Sequence, residues 1–179
     1  MKILIAYVSK SGTTAECAEL LRRQFPGSDV TLSDLAAELP DVTAYDAVIV
    51  GSYIRFGKTN RRFREFLARN EGALTEKPLG LFLCCGEIQN LEDYVADCLP
   101  KDLAGHAFDV ECFGGSLDIR RFHGFERIAV HFMRSSILNS SEHDEGQYEK
   151  TLPAILPENI SRLATHLRAA ACRKRETDV

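Results

Sequence analysis

No apolar run in this sequence is long enough to cross a bilayer. No C-x-x-C pair occurs among the six cysteines, Cys17, Cys84, Cys85, Cys98, Cys112 and Cys172. The five histidines show no ligand spacing with them, so a metal site has no support in the sequence. Reduced, mostly buried thiols in a reducing compartment are expected, and the adjacent Cys84-Cys85 does not make a structural staple. Positive charge is not in excess: a net charge of −4 over 179 residues argues against bulk nucleic-acid binding. Neither G-x-x-x-x-G-K-[ST] nor G-x-G-x-x-G is present, which removes the P-loop and the dinucleotide fingerprint. No nucleophile–base–acid triad stands out, and no glycosidase-type carboxylate pair. Met1-Lys2 leads straight into a short apolar strand without a small-residue cleavage site, so no secretory leader and a cytoplasmic location are expected.

What is present is concentrated first in Met1 to Phe25. Ile3 to Val8 reads as a buried strand. It stops at Ser9-Lys10-Ser11-Gly12-Thr13-Thr14, small or hydroxylated residues broken by one lysine. Apolar positions then recur at helical spacing in Cys17, Leu21 and Phe25, with Ala18 and Leu20 widening the stripe. Strand, tight loop and helix make a phosphate cradle. The first N–H groups of a helix lack partners within it and carry the positive end of its dipole. Gly12 admits a close backbone approach, while Ser9, Ser11, Thr13 and Thr14 offer hydroxyl donors. The alternative is an ordinary serine or threonine helix cap, which needs one or two such residues.

Further strands are expected at Asp29 to Ser33, Ala44 to Val50, Leu79 to Cys85 and Ala107 to Phe113. Helices are expected at Thr59 to Arg69, Leu91 to Leu99 and Pro153 to Arg173, with an irregular connection over Leu35 to Val42. Asn139 to Lys150 reads as an exposed polar loop. Alternation of this kind predicts an α/β three-layer sandwich: one domain over 1–175, with a five-stranded parallel sheet in the order 2-1-3-4-5. Ligands of such sheets sit at the carboxyl ends of the strands, beside the first and third. Three stretches should meet there: Ser9 to Thr14, Ser52 to Lys58, and the residues after the fourth strand, Cys85, Gly86 and Glu87.

Ser9-Lys10-Ser11-Gly12-Thr13-Thr14 resembles the phosphate loop of flavodoxins, [ST]-x-[ST]-G-x-T, at every fixed position. The resemblance implies flavin mononucleotide (FMN) with its terminal phosphate held by this loop. Gly51-Ser52-Tyr53-Ile54-Arg55-Phe56-Gly57-Lys58 is similar to a narrower pattern, the G-[AS]-x-I-R-[YF]-G-[KH] loop of the menaquinone-dependent protoporphyrinogen IX dehydrogenases. Gly114-Gly115-Ser116-Leu117 and the basic aromatic stretch after it extend that likeness to about Arg134. Cys84 to Asn90 departs from it, lacking the expected basic, proline-containing run. The expected FMN contacts are Ser9, Lys10, Ser11, Gly12, Thr13 and Thr14 at the phosphate, Ser52, Tyr53, Ile54, Arg55, Phe56 and Gly57 around the ring, and Cys85, Gly86 and Glu87 on the other side. Lys10 itself is expected to face solvent. Tyr53 and Phe56 either stack on the ring or pack on the following helix. Arg55 either meets reduced flavin or a substrate carboxylate, or makes a structural ion pair.

From Ile119 to Arg134, Phe122, Phe125, Ile128, Ala129, Phe132 and Met133 recur at helical spacing, with Arg120, Arg121, His123, Arg127, His131 and Arg134 mostly between them. Such a segment packs on its own sheet, or docks an anionic membrane, a quinone or a protein partner. Three functions follow. The first is an FMN-dependent oxidoreductase of the protoporphyrinogen dehydrogenase type with a quinone acceptor. The second is an FMN electron carrier that docks redox partners. The third is a binding module that has lost its flavin, against which the intact hydroxyl loop argues.

Overall fold

The computed structural model describes residues 1–86, 88–115 and 154–177. Strand β1, Lys2–Tyr7, is followed by helix α1, Thr13–Arg22, and strand β2, Asp29–Asp34. Strand β3, Ala47–Arg55, turns back into a two-residue strand β4, Lys58–Thr59. Helices α2, Arg61–Arg69, and α3, Glu71–Thr75, lead to strand β5, Leu79–Cys84. Helices α4, Leu91–Cys98, and α5, Lys101–His106, precede strand β6, Asp109–Cys112, and the last described helix is α6, Pro157–Thr177.

The parallel strands lie in the order β2-β1-β3-β5-β6, with β4 antiparallel to β3. Leaving β4 aside, this is the expected order 2-1-3-4-5. Register fixes the carboxyl edge: Tyr7 pairs with Gly51, Tyr53 with Cys84 and Leu83 with Cys112. The sheet is apolar on both faces because helices cover both. Ile3, Ile5, Ile49 and Phe82 face α1 and α6, meeting Cys17, Leu21, Ile160, Leu163 and Leu167. Leu4, Ala6, Val48, Val50 and Leu81 face the other layer, meeting Phe63, Phe66 and Leu67 of α2, Leu74 of α3 and Leu103 of α5. Each fully buried side chain of this size contributes roughly 1.5–3 kcal/mol before entropy is charged.

The middle of the chain differs from expectation. β3 does not stop at Val50; it runs on through Arg55, so most of Gly51 to Lys58 is a hairpin rather than a loop. Thr59 belongs to β4 rather than to a helix, and α2 begins at Arg61, with the Asn60 side chain accepting from the Arg62 N–H at 2.8 Å. Gly51 explains why glycine does not mean loop here: a Cβ built on it overlaps the Phe82 ring, which is stacked on Phe113 with centroids 4.5 Å apart. The Leu35 to Val42 connection closes with a 3-10 turn at Val42–Ala44. Helices α3 and α5 were not anticipated, and α6 continues to Thr177 rather than ending at Arg173. Glu87, the basic segment after Leu117 and the polar loop Asn139 to Lys150 lie outside the described residues. Among the described residues, no helix is long and apolar enough to cross a membrane.

Candidate functional site

The carboxyl edge gathers Ser9 to Thr14, the hairpin that carries Ser52 to Lys58, and, of the third stretch, Cys85 and Gly86. Val8 N–H donates to the Gly51 carbonyl at 3.0 Å, tying the end of β1 to β3. The chain then turns through Ser9 to Gly12, where Gly12 adopts φ 89° and ψ −17° at the entry to α1. That left-handed geometry strains any residue with a Cβ. No side chain caps the helix, and the first bond along its axis is Glu16 N–H to the Gly12 carbonyl at 2.9 Å. An ordinary hydroxyl cap is therefore absent, and the leading N–H groups of α1 are turned toward this edge.

The hydroxyls divide into two sets. Ser9 Oγ is buried without a hydrogen-bond partner, and Ser11 Oγ lies 3.4 Å from Thr13 Oγ1. A buried hydroxyl with nothing to bond costs free energy, so an oriented donor here suits an incoming acceptor. Thr14 is instead buried at the start of α1, near the Cys84 thiol. That thiol is pushed well up, by its contact with Cys17 first and by burial second. Lys10 is exposed. An uncapped helix end, a left-handed glycine and an orphan hydroxyl fit a phosphate group with no need of a cation.

The hairpin separates the residues expected around a flavin ring. Ser52 is fully buried, its hydroxyl donating to the Tyr53 carbonyl at 3.1 Å and accepting from Asn60 N–H at 3.2 Å. Tyr53 packs on the α2 side of the sheet and its hydroxyl accepts from Asn60 Nδ2 at 2.7 Å. Ile54 pairs with Thr59 and packs on the same core. Phe56 does the opposite: it is 81% exposed, with φ at 49°. The Arg55 guanidinium covers one face of its ring, 5.1 Å from the centroid. An exposed aromatic held in a left-handed backbone gains nothing from packing. Gly57 completes the tip at φ 73°, and its carbonyl accepts from Cys98 Sγ at 3.3 Å.

Beyond β5, Cys85 is buried and Gly86 exposed. Gly115 lies against their backbone, where an added Cβ would come within 3.1 Å of the Cys85 carbonyl. Asn60, Cys112 and Gly115 are the residues that sequence reasoning did not assign here. Asn60 carried a signal, since asparagine before an amphipathic helix is a cap. Cys112 carried none, because its partner lies across the sheet.

The sequence profile of the flavodoxin domain matches residues 4–144. The chain belongs to the flavodoxin domain family. A short-chain flavodoxin associated with a non-canonical PDU bacterial microcompartment superposes with a TM-score of 0.55 at 14% identity, over 96% of this chain and 99% of that one. The Fusobacterium nucleatum flavodoxin bound to flavin mononucleotide gives a TM-score of 0.48 at 12% identity, over 98% of each chain. The rubredoxin oxygen:oxidoreductase of Desulfovibrio gigas gives 0.48 at 16% identity, over 98% of this chain but 36% of that one. This flavodoxin-domain chain thus spans about a third of the Desulfovibrio protein. No curated protein matches the sequence.

Proposed function

We propose that this flavodoxin-domain protein binds FMN at the carboxyl edge of its sheet and acts in electron transfer. The observation that carries it is the orphan Ser9 hydroxyl beside the uncapped, glycine-led start of α1. Ser9, Ser11, Thr13 and the leading N–H groups of α1 hold the phosphate. Arg55, Phe56 and Gly57 border the ring, with Cys85 and Gly86 opposite, while the buried Ser52 holds the hairpin behind them. FMN, when bound, supplies one- or two-electron exchange. Phe56 offers the ring a face and Arg55 offers it positive charge, which favours the reduced, more negative cofactor. Redox partner proteins meet this edge.

A second reading adds a substrate. The sequence Gly51 to Lys58 and the outward Phe56 support an enzyme resembling the menaquinone-dependent protoporphyrinogen IX dehydrogenases, with a quinone acceptor and a peripheral membrane contact through residues 119–134. Steady-state oxidation of a porphyrinogen with a quinone supports this enzyme. Exchange with a reductase and no such turnover supports the carrier.

The first test is the absorbance spectrum of the purified protein, with the released chromophore identified after acid denaturation. Stoichiometric FMN, or uptake of added FMN, is expected; a colourless protein that takes up none overturns the reading. Ser9→Ala and Thr13→Ala give a finer test. Each removes a hydroxyl bond to a charged acceptor, worth about 1.5–3 kcal/mol, so FMN should bind about ten-fold more weakly or worse. Ser9→Ala should also raise the melting temperature of the apoprotein, because it deletes a buried, unpartnered polar atom. Unchanged affinity in both variants would remove the phosphate assignment.

A further inference from the structure

Six thiols are unbridged in the fold, and their surroundings differ. Cys17 and Cys84 touch inside the core between α1 and the sheet. Cys172 is exposed on α6, and Cys98 donates to the hairpin tip. Cys85 and Cys112 form a different pair. Cys112 ends β6, opposite Leu83 of β5, and Cys85 follows β5 two residues beyond Leu83. Alternation along β5 puts both on the same side of the sheet. Their sulfurs are 3.2 Å apart. A disulfide needs about 2.05 Å, so the sulfurs must close by little more than an ångström.

The flanking chain can supply that movement. Gly86 follows Cys85 and is exposed, so the Cys85 side can shift, while Gly114 beyond Cys112 is held by its bridge to Ile155. Cys85 follows β5 with 5% of its surface exposed, so an oxidant that acts here has to be a small one. The Gly114 N–H donates to Cys112 Sγ at 3.4 Å, a contact that favours negative charge on that sulfur. The hydrogen bond from Cys85, followed by the backbone contacts, holds the Cys112 thiol down to about 7 against the penalty of burial. Among the described residues, no group of three or more His, Cys, Asp or Glu side chains could hold a metal ion here.

We propose that Cys85 and Cys112 form an oxidisable dithiol, converted by a small peroxide into a disulfide that bridges the ends of β5 and β6. Cys112 first releases its proton to solvent; Cys85 Sγ then attacks a peroxide oxygen while its own proton passes to the Cys112 thiolate. The O–O bond breaks, and the departing hydroxide takes a proton back from solvent and leaves as water. Cys112 Sγ then attacks the Cys85 sulfenic sulfur, forming S–S and breaking S–O; the hydroxyl leaves as a second water with the remaining thiol proton. Two thiols and one peroxide give one disulfide and two waters, the thiols losing two electrons to the peroxide.

The test uses the full-length protein treated with hydrogen peroxide, unfolded in denaturant, and alkylated without reductant. Six thiols should fall to four, and reductant should restore six. Trypsin should release the peptide of residues 70–101, which carries Cys84, Cys85 and Cys98, linked to the peptide of residues 102–120, which carries Cys112. The link should vanish in Cys85→Ser and in Cys112→Ser and persist in Cys84→Ser. Six alkylated thiols in the treated wild-type chain would overturn the proposal, whether or not any variant folds. A link that survives in Cys85→Ser would overturn it too. Thiol counting needs no bound cofactor, so failure here is separate from failure of the FMN assignment.

Discussion

At the scale of single residues, Phe56 carries a cost that the fold does not repay. A non-glycine residue in the left-handed region is disfavoured by roughly 1–2 kcal/mol, and this ring is left in solvent. Phe56→Gly should therefore raise the melting temperature while weakening FMN binding, measured by thermal denaturation of the apoprotein and by flavin titration. Glu111 shows the reverse arrangement. Its carboxyl is pushed up, by burial first and by Asp109 second, while Arg162 at 3.0 Å pulls it back. A carboxylate with a raised folded pKa favours folding in its protonated form, and that contribution is lost as pH rises through the folded value. Arg162→Ala leaves the ionised group less compensated. Arg162 is 51% exposed and Glu111 8%, so the loss lies between a surface and a buried pair, about 1–2 kcal/mol. That loss should be full at neutral pH and fade in acid as Glu111 protonates, as read by urea denaturation across pH.

At the scale of elements, β1, its loop and α1 were legible because their signals are local: an apolar run, a hydroxyl cluster, then a helical stripe. The expected strand order followed from alternation of the elements. The overrun of β3 was not legible. Gly51 and Ser52 look like loop residues, and the reason they sit in a strand is Phe82, which belongs to another strand. Gly51→Ala should test this directly. Its methyl overlaps a ring already stacked on Phe113, so overpacking should destabilise the fold by about 1–3 kcal/mol, seen as a lower urea midpoint. Of the candidate site, the glycine-hydroxyl loop could be read and the division of labour within the hairpin could not. Tyr53 and Phe56 are near neighbours of similar character, and the difference between them is Asn60, which holds the Tyr53 hydroxyl. The Cys85–Cys112 contact spans 27 residues and leaves no local pattern.

At the scale of the whole molecule, one face of the sheet depends on a helix from the far end of the chain. Ile160, Leu163, Ala164 and Leu167 of α6 pack with Ile3, Ile5, Phe82 and Phe113. A chain ending at residue 153 should lose the cooperative unfolding transition and bind a hydrophobic dye, because among the described residues α1 is then the one helix left on that face. The same contact sets an order in time. β1 leaves the ribosome well before α6, so at ~5–20 residues/s that face of the nascent sheet waits for α6 for on the order of ten seconds. During that interval the polypeptide is a natural client for holding chaperones, and its yield in a cell should depend on how quickly the last helix arrives.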